Sequence, residues 1–177
     1  MALSKNRIKY IHSLELKKNR KADKVFLAEG PKLVGDLLGH FPCCFLVATS
    51  EWLSQNHHLP LTDVTEVSEE ELSRASLLKT PQQVLAVFKQ PEDETDASVI
   101  GRSLCLALDD VQDPGNLGTI IRLADWFGIE HIFCSPNTVD AYNPKTVQAT
   151  MGGIARVKLH YTPLPALIGS LTDIPVY

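Results

Sequence analysis

Residues 104–129, LCLALDDVQDPGNLGTIIRLADWFGI, decide the fold class of this chain. The apolar run LCLAL is followed by a turn containing Asp-Pro-Gly-Asn and then by a segment with apolar residues at helical spacing. A strand that enters a helix through such a turn is typical of α/β proteins, which bind anions at the amino end of the helix. Two more apolar runs, HIFCS (131–135) and VKLHY (157–161), alternate with helical segments, which predicts a parallel sheet.

The helix predicted over residues 116–128 carries two polar side chains of interest, Asn116 and Arg122. Asn116 is either the helix N-cap or part of a site. Arg122 is predicted to lie off the core face, where it either pairs weakly with Asp125 or meets a phosphate or sugar hydroxyl. Spacing alone leaves both alternatives open. The predicted core face of this helix consists of Leu117, Ile120, Ile121, Ala124 and Phe127.

The segment AYNPKTVQATMGG, residues 141–153, predicts a further helix over about 143–151. Lys145 at its amino end is electrostatically unfavourable unless an anion such as a nucleic-acid phosphate compensates it, although a solvated lysine is the simpler account. The Thr150 hydroxyl either faces a site or bonds back to its own helix. Gly118 in the preceding helix either lets a ligand approach or fits against a neighbouring strand.

The domain organisation follows from the alternation of helices and strands. Residues 1–90 predict a small α/β domain with strands at VFLAEG, CCFLVAT, DVTEV and VLAVFK. The polar, acidic stretch at 91–98 is interpreted as a linker, and residues 99–177 as the second domain. The final residues, DIPVY (173–177), predict the start of a fourth strand of the parallel sheet.

Charge is distributed unevenly along the chain. Residues 1–24 hold eight basic and two acidic side chains, whereas the whole chain of 177 residues has a net charge of −4. A basic segment on an acidic body indicates either a surface for a polyanion or a solvated helical face. The candidate polyanion-binding side chains are Lys17, Lys18, Arg20, Lys21 and, from the second half, Lys145.

Several functional classes are disfavoured. The apolar fraction of 44% and charged fraction of 21% are those of an ordinary soluble protein, with no membrane span and no secretory signal. The four cysteines lack C-x-x-C spacing, which predicts buried free thiols, no metal site and a cytoplasmic location. A nucleotide-dependent oxidoreductase is disfavoured because the turn at 113–118 has neither G-x-G-x-x-G nor GK[ST] spacing.

Three blocks of this sequence resemble the SpoU family of the SPOUT superfamily, which are RNA ribose 2′-O-methyltransferases. The family's N-x-G-x-x-x-R motif is found from Asn116 to Arg122, after the LDDVQDPGN approach. The family's RNA-binding extension is similar to the stretch from Lys17 to Arg20 followed by the FLAEG segment at 26–30. The YNPKTVQATMGG block at 142–153 also matches the family.

This resemblance implies an α/β chain with an N-terminal RNA-binding domain and part of a parallel-sheet methyltransferase domain. It makes Arg122 the catalytic arginine, which positions the target ribose or phosphate and assists loss of the 2′-OH proton, and Asn116 the residue that orders the site. Gly118, Glu29 and Thr150 are expected to shape the site. The implied methyl donor is S-adenosylmethionine, the implied substrate is ribosomal rather than transfer RNA, and a homodimer is expected for the complete protein.

The C-terminal part departs from the family pattern. The family's N-E-G-x-G and S-L-N-V-x-V motifs, which form its knot and cofactor pocket, are not found in this sequence. The resemblance therefore implies that residues 99–177 are a truncated methyltransferase domain and that the S-adenosylmethionine pocket lies beyond Tyr177. The alternative is a non-catalytic RNA-binding protein on a SPOUT-like scaffold.

Overall fold

The computed structural model describes residues 3–59, 63–92 and 97–177, which form two sheets flanked by helices. The first sheet has four strands in the order β1-β4-β2-β3. Strand β4 is antiparallel to both of its neighbours, and β2 and β3 are parallel. The elements of this first half are α1 (Lys5–Ser13), α2 (Lys17–Asp23), β1 (Val25–Glu29), α3 (Pro31–Leu37), β2 (Cys43–Ala48), α4 (Ser50–Gln55), β3 (Val64–Glu66), α5 (Glu69–Ala75) and β4 (Val84–Lys89).

Both faces of the first sheet are covered, which explains why its inner strands are apolar throughout. Alternate residues such as Leu27 and Leu85 pack in a core cluster that contains residues of α1 and α5. Their neighbours, such as Phe26 and Phe88, pack in a second cluster that contains residues of α3 and α4. Helix α5 begins with a capping box, because the Ser68 hydroxyl accepts from the Glu71 N–H and the Glu71 carboxylate accepts from the Ser68 N–H.

The second sheet is parallel, as the alternation of strands and helices predicted, and its strand order is β5-β6-β7. Its elements are β5 (Cys105–Leu108), α6 (Pro114–Trp126), β6 (His131–Cys134), α7 (Pro144–Ala149), β7 (Lys158–Tyr161) and α8 (Leu164–Gly169), with 3₁₀ turns at Ala97–Val99 and Gly153–Ala155. Leu106 and Ile132 pack with Leu117 and Ile121 of α6 in a third core cluster. This α/β architecture confirms the predicted fold class.

Four local predictions are wrong. The DIPVY segment at 173–177 forms no strand, and Val176 and Tyr177 are exposed. Phe127 is 73% exposed, because it is the C-cap of α6 and the chain leaves the helix there. Helix α6 begins two residues earlier than predicted, at Pro114. Of the four free cysteines only Cys134 is fully buried, and burial raises its pKa to about 12.

The two halves share a packed junction. Val147 of α7 belongs to the same core cluster as Phe26 of β1, and the Tyr142 ring lies 5.0 Å from that of Phe26. The division at 91–98 stays a prediction, since residues 93–96 of the proposed linker lie outside the described residues. None of the helices within the described ranges has the length and apolarity that a membrane crossing requires.

Candidate functional site

The amino end of α6 is capped by Asp113 rather than by Asn116. The Asp113 carboxylate accepts a 2.7 Å hydrogen bond from the Asn116 N–H, and Pro114 occupies the first turn. The prediction of Asn116 as the cap is therefore wrong. Its own side-chain amide is exposed and has no hydrogen-bond partner among the described residues, which leaves the amide available to a ligand. The Asp-Pro pair was the sequence signal for the actual cap.

Arg122 lies on the exposed surface of α6, off the core face as the spacing predicted. The alternative of a surface pair with Asp125 is wrong, because Arg156 binds both oxygens of that carboxylate at 2.7 and 2.6 Å. The Arg122 guanidinium has no hydrogen-bond or ion-pair partner in the part of the chain that the structure describes. A free guanidinium of this kind can bind a phosphate or a sugar hydroxyl.

Gly118 brings α6 and α7 into close contact. A Cβ at this position would lie 2.5 Å from the Ala149 Cβ and 2.6 Å from the Thr146 carbonyl oxygen. Gly118 is itself buried, so it serves helix packing rather than the approach of a ligand, and its neighbour is a helix rather than a strand. Its contribution to the site is to fix the two helices that carry Arg122 and Lys145.

Thr150 does not contribute a hydroxyl to an exposed site. It is fully buried, and its Oγ1 donates a 2.7 Å hydrogen bond to the Val147 carbonyl of its own helix. Of the two alternatives left open by the sequence, the structure therefore shows the hydroxyl that bonds back to its own helix.

Lys145 is exposed at the amino end of α7 and has no ion-pair partner among the described residues. Asn143 caps this helix by accepting from the Lys145 N–H at 2.9 Å. The loop before the cap is held by the Tyr161 hydroxyl, which accepts from the Ala141 N–H and donates to the Val139 carbonyl. Lys145 therefore lies on a capped helix whose preceding loop is held by hydrogen bonds.

The basic segment divides into exposed and buried side chains. Lys17, Lys18 and Lys21 of α2 are exposed, as an RNA-binding surface requires. Arg20 is 1% exposed, and its guanidinium donates to Asp140 at 2.6 Å and to the Leu14 and Glu15 carbonyls at 2.8 Å. We therefore correct the prediction for Arg20, because its donors are used within the protein. Asp140 is distant in sequence, and no local pattern identified it as the partner.

Glu29 belongs to the first sheet rather than to the surroundings of Arg122. Its carboxylate accepts from the Ser76 hydroxyl and, at 3.0 Å, from the Leu77 N–H, both directly after α5. Burial is the main cause that raises the pKa of Glu29, and these two hydrogen bonds act against it. The expectation that Glu29 shapes the site is corrected accordingly: its contacts order the end of α5.

One cavity of about 340 Å³ lies between the end of α6 and the amino ends of β6 and β7. Its lining residues are Asp125, Gly128, Ile129, Glu130, Arg156 and Val157. Ligands of α/β sheets bind at the opposite, carboxyl ends of the strands, so this cavity does not fit a nucleoside cofactor site. We assign no residue of the chain to S-adenosylmethionine. Among the described residues, no group of three or more His, Cys, Asp and Glu side chains could hold a metal ion.

Two family models match the chain. Residues 5–86 match the MRM3-like substrate binding domain, and residues 103–174 match the SpoU rRNA Methylase family. One similar protein is the 23S rRNA (guanosine(2553)-2′-O)-methyltransferase RlmP of Bacillus subtilis, 30% identical over 93% of this chain and 65% of that protein. Another is the human mitochondrial rRNA methyltransferase 3, 32% identical over 75% of this chain and 34% of that protein.

Solved structures are also similar. A TrmH-family protein from Porphyromonas gingivalis has a TM-score of 0.80 and 41% identity, covering 92% of this chain and 64% of that one. An AdoMet-bound rRNA methyltransferase from Sinorhizobium meliloti has a TM-score of 0.78 and 32% identity, covering 96% and 66%. The chain therefore spans about two thirds of the length of these structures and of RlmP.

Proposed function

We infer that residues 103–174 belong to the SpoU rRNA methylase family and that residues 5–86 form an MRM3-like substrate binding domain. From this premise we propose that the chain provides the RNA-binding and arginine-bearing part of an rRNA ribose 2′-O-methyltransferase. The observation that carries the proposal is the Arg122 guanidinium, which is exposed and without a partner among the described residues. A residue needed only for folding would be expected to have such a partner, as Arg20 does.

In this proposal Arg122 binds the target nucleotide through its phosphate or ribose. A guanidinium presents donors in a fixed planar arrangement, which fixes the orientation of a phosphate and stabilises negative charge that develops on the 2′-oxygen. The exposed Asn116 amide adds a second polar group at the amino end of the same helix. S-adenosylmethionine would supply the methyl group, as the AdoMet-bound relative from Sinorhizobium meliloti suggests.

RNA would be held by three lysines of α2 and one lysine of α7. Lys17, Lys18 and Lys21 lie on α2, and Lys145 lies at the start of α7. The Arg20–Asp140 ion pair connects α2 to the loop that precedes α7, so the α2 lysines and Lys145 are held at a fixed spacing. Phosphate contacts of this kind give salt-dependent affinity with little sequence preference.

The proposal also covers the substrate, the assembly and the cellular location of the protein. Ribosomal RNA is the proposed substrate because RlmP and rRNA methyltransferase 3 are both named for it. A homodimeric assembly, a cytoplasmic location and the lack of membrane association are further parts of the proposal.

The Arg122→Ala variant tests the catalytic role. In the complete protein, methyl transfer from labelled S-adenosylmethionine to ribosomal RNA is expected to fall by on the order of a hundredfold, the loss typical when a preorganised charge-stabilising donor is removed. Because the side chain is exposed and unpaired, the midpoint of urea unfolding is expected to stay unchanged. Leu123→Ala, an exposed neighbour on the same helix, is the matched control.

Activity of Arg122→Ala equal to that of the Leu123→Ala control would contradict the catalytic role. A second outcome favours the alternative of a non-catalytic RNA-binding protein. In that case the complete protein transfers no methyl group and calorimetry detects no S-adenosylmethionine binding to it, while RNA affinity still depends on Arg122.

A further inference from the structure

Helix α6 places a carboxylate one turn after Arg122, at Asp125. Arginine and aspartate three positions apart on a helix are within reach of each other and normally attract. Such a pair would neutralise the guanidinium that the proposed function requires to be free. The structure shows a different arrangement, in which the carboxylate of Asp125 is bound by Arg156, 31 residues further along the chain.

Arg156 binds Asp125 with both of its facing donors. Its Nε donates to Oδ1 at 2.7 Å and its Nη2 donates to Oδ2 at 2.6 Å. This two-point geometry uses an oxygen on each side of the carboxylate and favours arginine over lysine. The hydrogen bond from Arg156 is the main cause that lowers the pKa of Asp125, so the carboxylate is ionised at neutral pH.

The backbone fixes Arg156 in this position. Arg156 directly follows the 3₁₀ turn Gly153–Ala155, and a Cβ on Gly153 would lie 3.3 Å from the Asp125 Cβ and 3.5 Å from the Arg122 Cα. The turn therefore lies directly on the stretch of α6 that carries both residues. A methyl group here would be in tight contact with the Asp125 Cβ, so glycine favours this close approach.

Asp36 of α3 supplies a second carboxylate near this group. Its charge contributes to raising the pKa of Arg156, and a Cβ on Gly152 would lie 2.8 Å from its Oδ2. Arg156 thus lies close to carboxylates from both halves of the chain, whereas Arg122 has no ion-pair partner within residues 3–59, 63–92 and 97–177. The Asp125 carboxylate is therefore bound by Arg156, and the Arg122 guanidinium is left free of it.

We propose that Arg156 is a positioning residue for Arg122: by holding the Asp125 carboxylate, it keeps the Arg122 guanidinium free to bind RNA. The inference rests on the proposed function for the role of Arg122. In this inference Arg156 contacts neither RNA nor the reacting atoms. It acts only by preventing Asp125 from pairing with Arg122.

The direct test is nuclear magnetic resonance of the Arg122 Nε–H group. In Arg156→Ala, Asp125 is released and is expected to pair with Arg122, which shifts this signal and slows its exchange with water. In the double variant Arg156→Ala/Asp125→Asn the released carboxylate is gone, and the signal is expected to return to its original position. An Arg122 signal that is unchanged in Arg156→Ala would overturn the proposal.

The functional test measures the affinity for a short fluorescein-labelled single-stranded RNA of mixed sequence. Arg156→Ala is expected to weaken binding by roughly three- to tenfold, the effect of losing about one phosphate contact. Adding Asp125→Asn is expected to restore the affinity, and Arg156→Lys is expected to retain most of it. If the ion pair were only structural, removing both partners would be no better than removing one.

Background variants separate a local effect from a general change in net charge. Asp125→Asn alone is expected to change RNA affinity little, because its carboxylate is already held by Arg156. In an Arg122→Ala background, Arg156→Ala is expected to have no further effect on RNA binding. A loss of equal size in both backgrounds would overturn the proposal, since Arg156 would then act independently of Arg122.

The proposed function and this inference fail in distinguishable ways. If Arg122→Ala leaves both methyl transfer and RNA affinity unchanged, the role of Arg122 in the proposed function is wrong. The resonance comparison would still decide whether Arg156 keeps Asp125 away from Arg122, because it requires neither RNA nor methyl transfer.

Discussion

Two arginines in different regions of the molecule stand in opposite surroundings. Arg20, at the junction of the two sheets, is buried and donates to Asp140 and to two backbone carbonyls. Arg122, on the outer side of α6, is exposed and has no partner among the described residues. A buried guanidinium without partners would be strongly destabilising, whereas an exposed one is solvated and can exchange water for a ligand.

The same contrast holds for the apolar side chains of the two regions. At the junction, the centre of the Phe26 ring lies 5.1 Å from that of Phe41 and 5.0 Å from that of Tyr142. At the end of α6, by contrast, Trp126 is 84% exposed and Phe127 is 73% exposed. Stability is therefore expected to depend on the junction, while the outer side of α6 tolerates substitution and remains open to ligands.

The largest expected loss of stability comes from Arg20→Ala. This substitution leaves Asp140 without its ion-pair partner at a largely buried position, and we expect the free energy of unfolding to fall by about 3 kcal/mol. The measurement is urea unfolding followed by circular dichroism. Lys17→Ala on the exposed side of the same helix is the control, with an expected change within about 0.5 kcal/mol. Equal losses of unfolding free energy in Arg20→Ala and Lys17→Ala would contradict the distinction between buried and exposed cations.

A smaller loss is expected from Gly118→Ala, which tests how tightly α6 rests on α7. The added methyl group would meet Ala149 and the Thr146 backbone, which cannot move cheaply, and overpacking of this kind costs about 1–3 kcal/mol. Gly35→Ala in α3 is the matched control, because nothing lies within 4 Å of its Cβ position. The control is expected to gain up to about 1 kcal/mol from helix propensity. A stabilised Gly118→Ala variant would show that the helices can separate.

The smallest expected effect is a pH dependence from Glu29. Burial raises its folded pKa above the ordinary value of 4.5, so its protonated form favours folding and that contribution is lost as the pH rises through the raised pKa. Relative to Glu29→Gln, which does not titrate, the unmodified chain should lose stability between acid and neutral pH. Urea midpoints of both proteins across this range measure the difference. A difference that stays constant with pH would contradict the raised pKa.

Local patterns predicted most of the secondary structure. The strands of both sheets and the parallel arrangement of the second sheet follow from short-range spacing. The early start of α6 had a local signal in Asp113-Pro114, whereas the apolar patterns at Phe127 and in DIPVY did not show whether another element covers these side chains. Phe127 fits the helical stripe, but the helix ends before it, and DIPVY has the composition of a strand without forming one. Periodicity describes which face is apolar, not whether another element covers it.

The candidate site was only partly predictable for the same reason. The motif from Asn116 to Arg122 and the exposure of Arg122 could be inferred from the sequence. The sequence could not show that Asp125 is bound by Arg156 or that Arg20 is bound by Asp140, because these partners are 31 and 120 residues apart. Side chains so distant in the chain become neighbours only after the sheets have formed and the helices have packed on them.

By itself the sequence determined the α/β class, the alternation of elements and the match of residues 103–174 to the SpoU rRNA Methylase family. These properties depend on hydrophobic period, capping residues and a short motif, all of which act over a few residues. Only the tertiary structure decided which arginine is used for folding and which is left free. A charge becomes structural or available according to the groups that folding places beside it, and burial determines how strongly those groups are required.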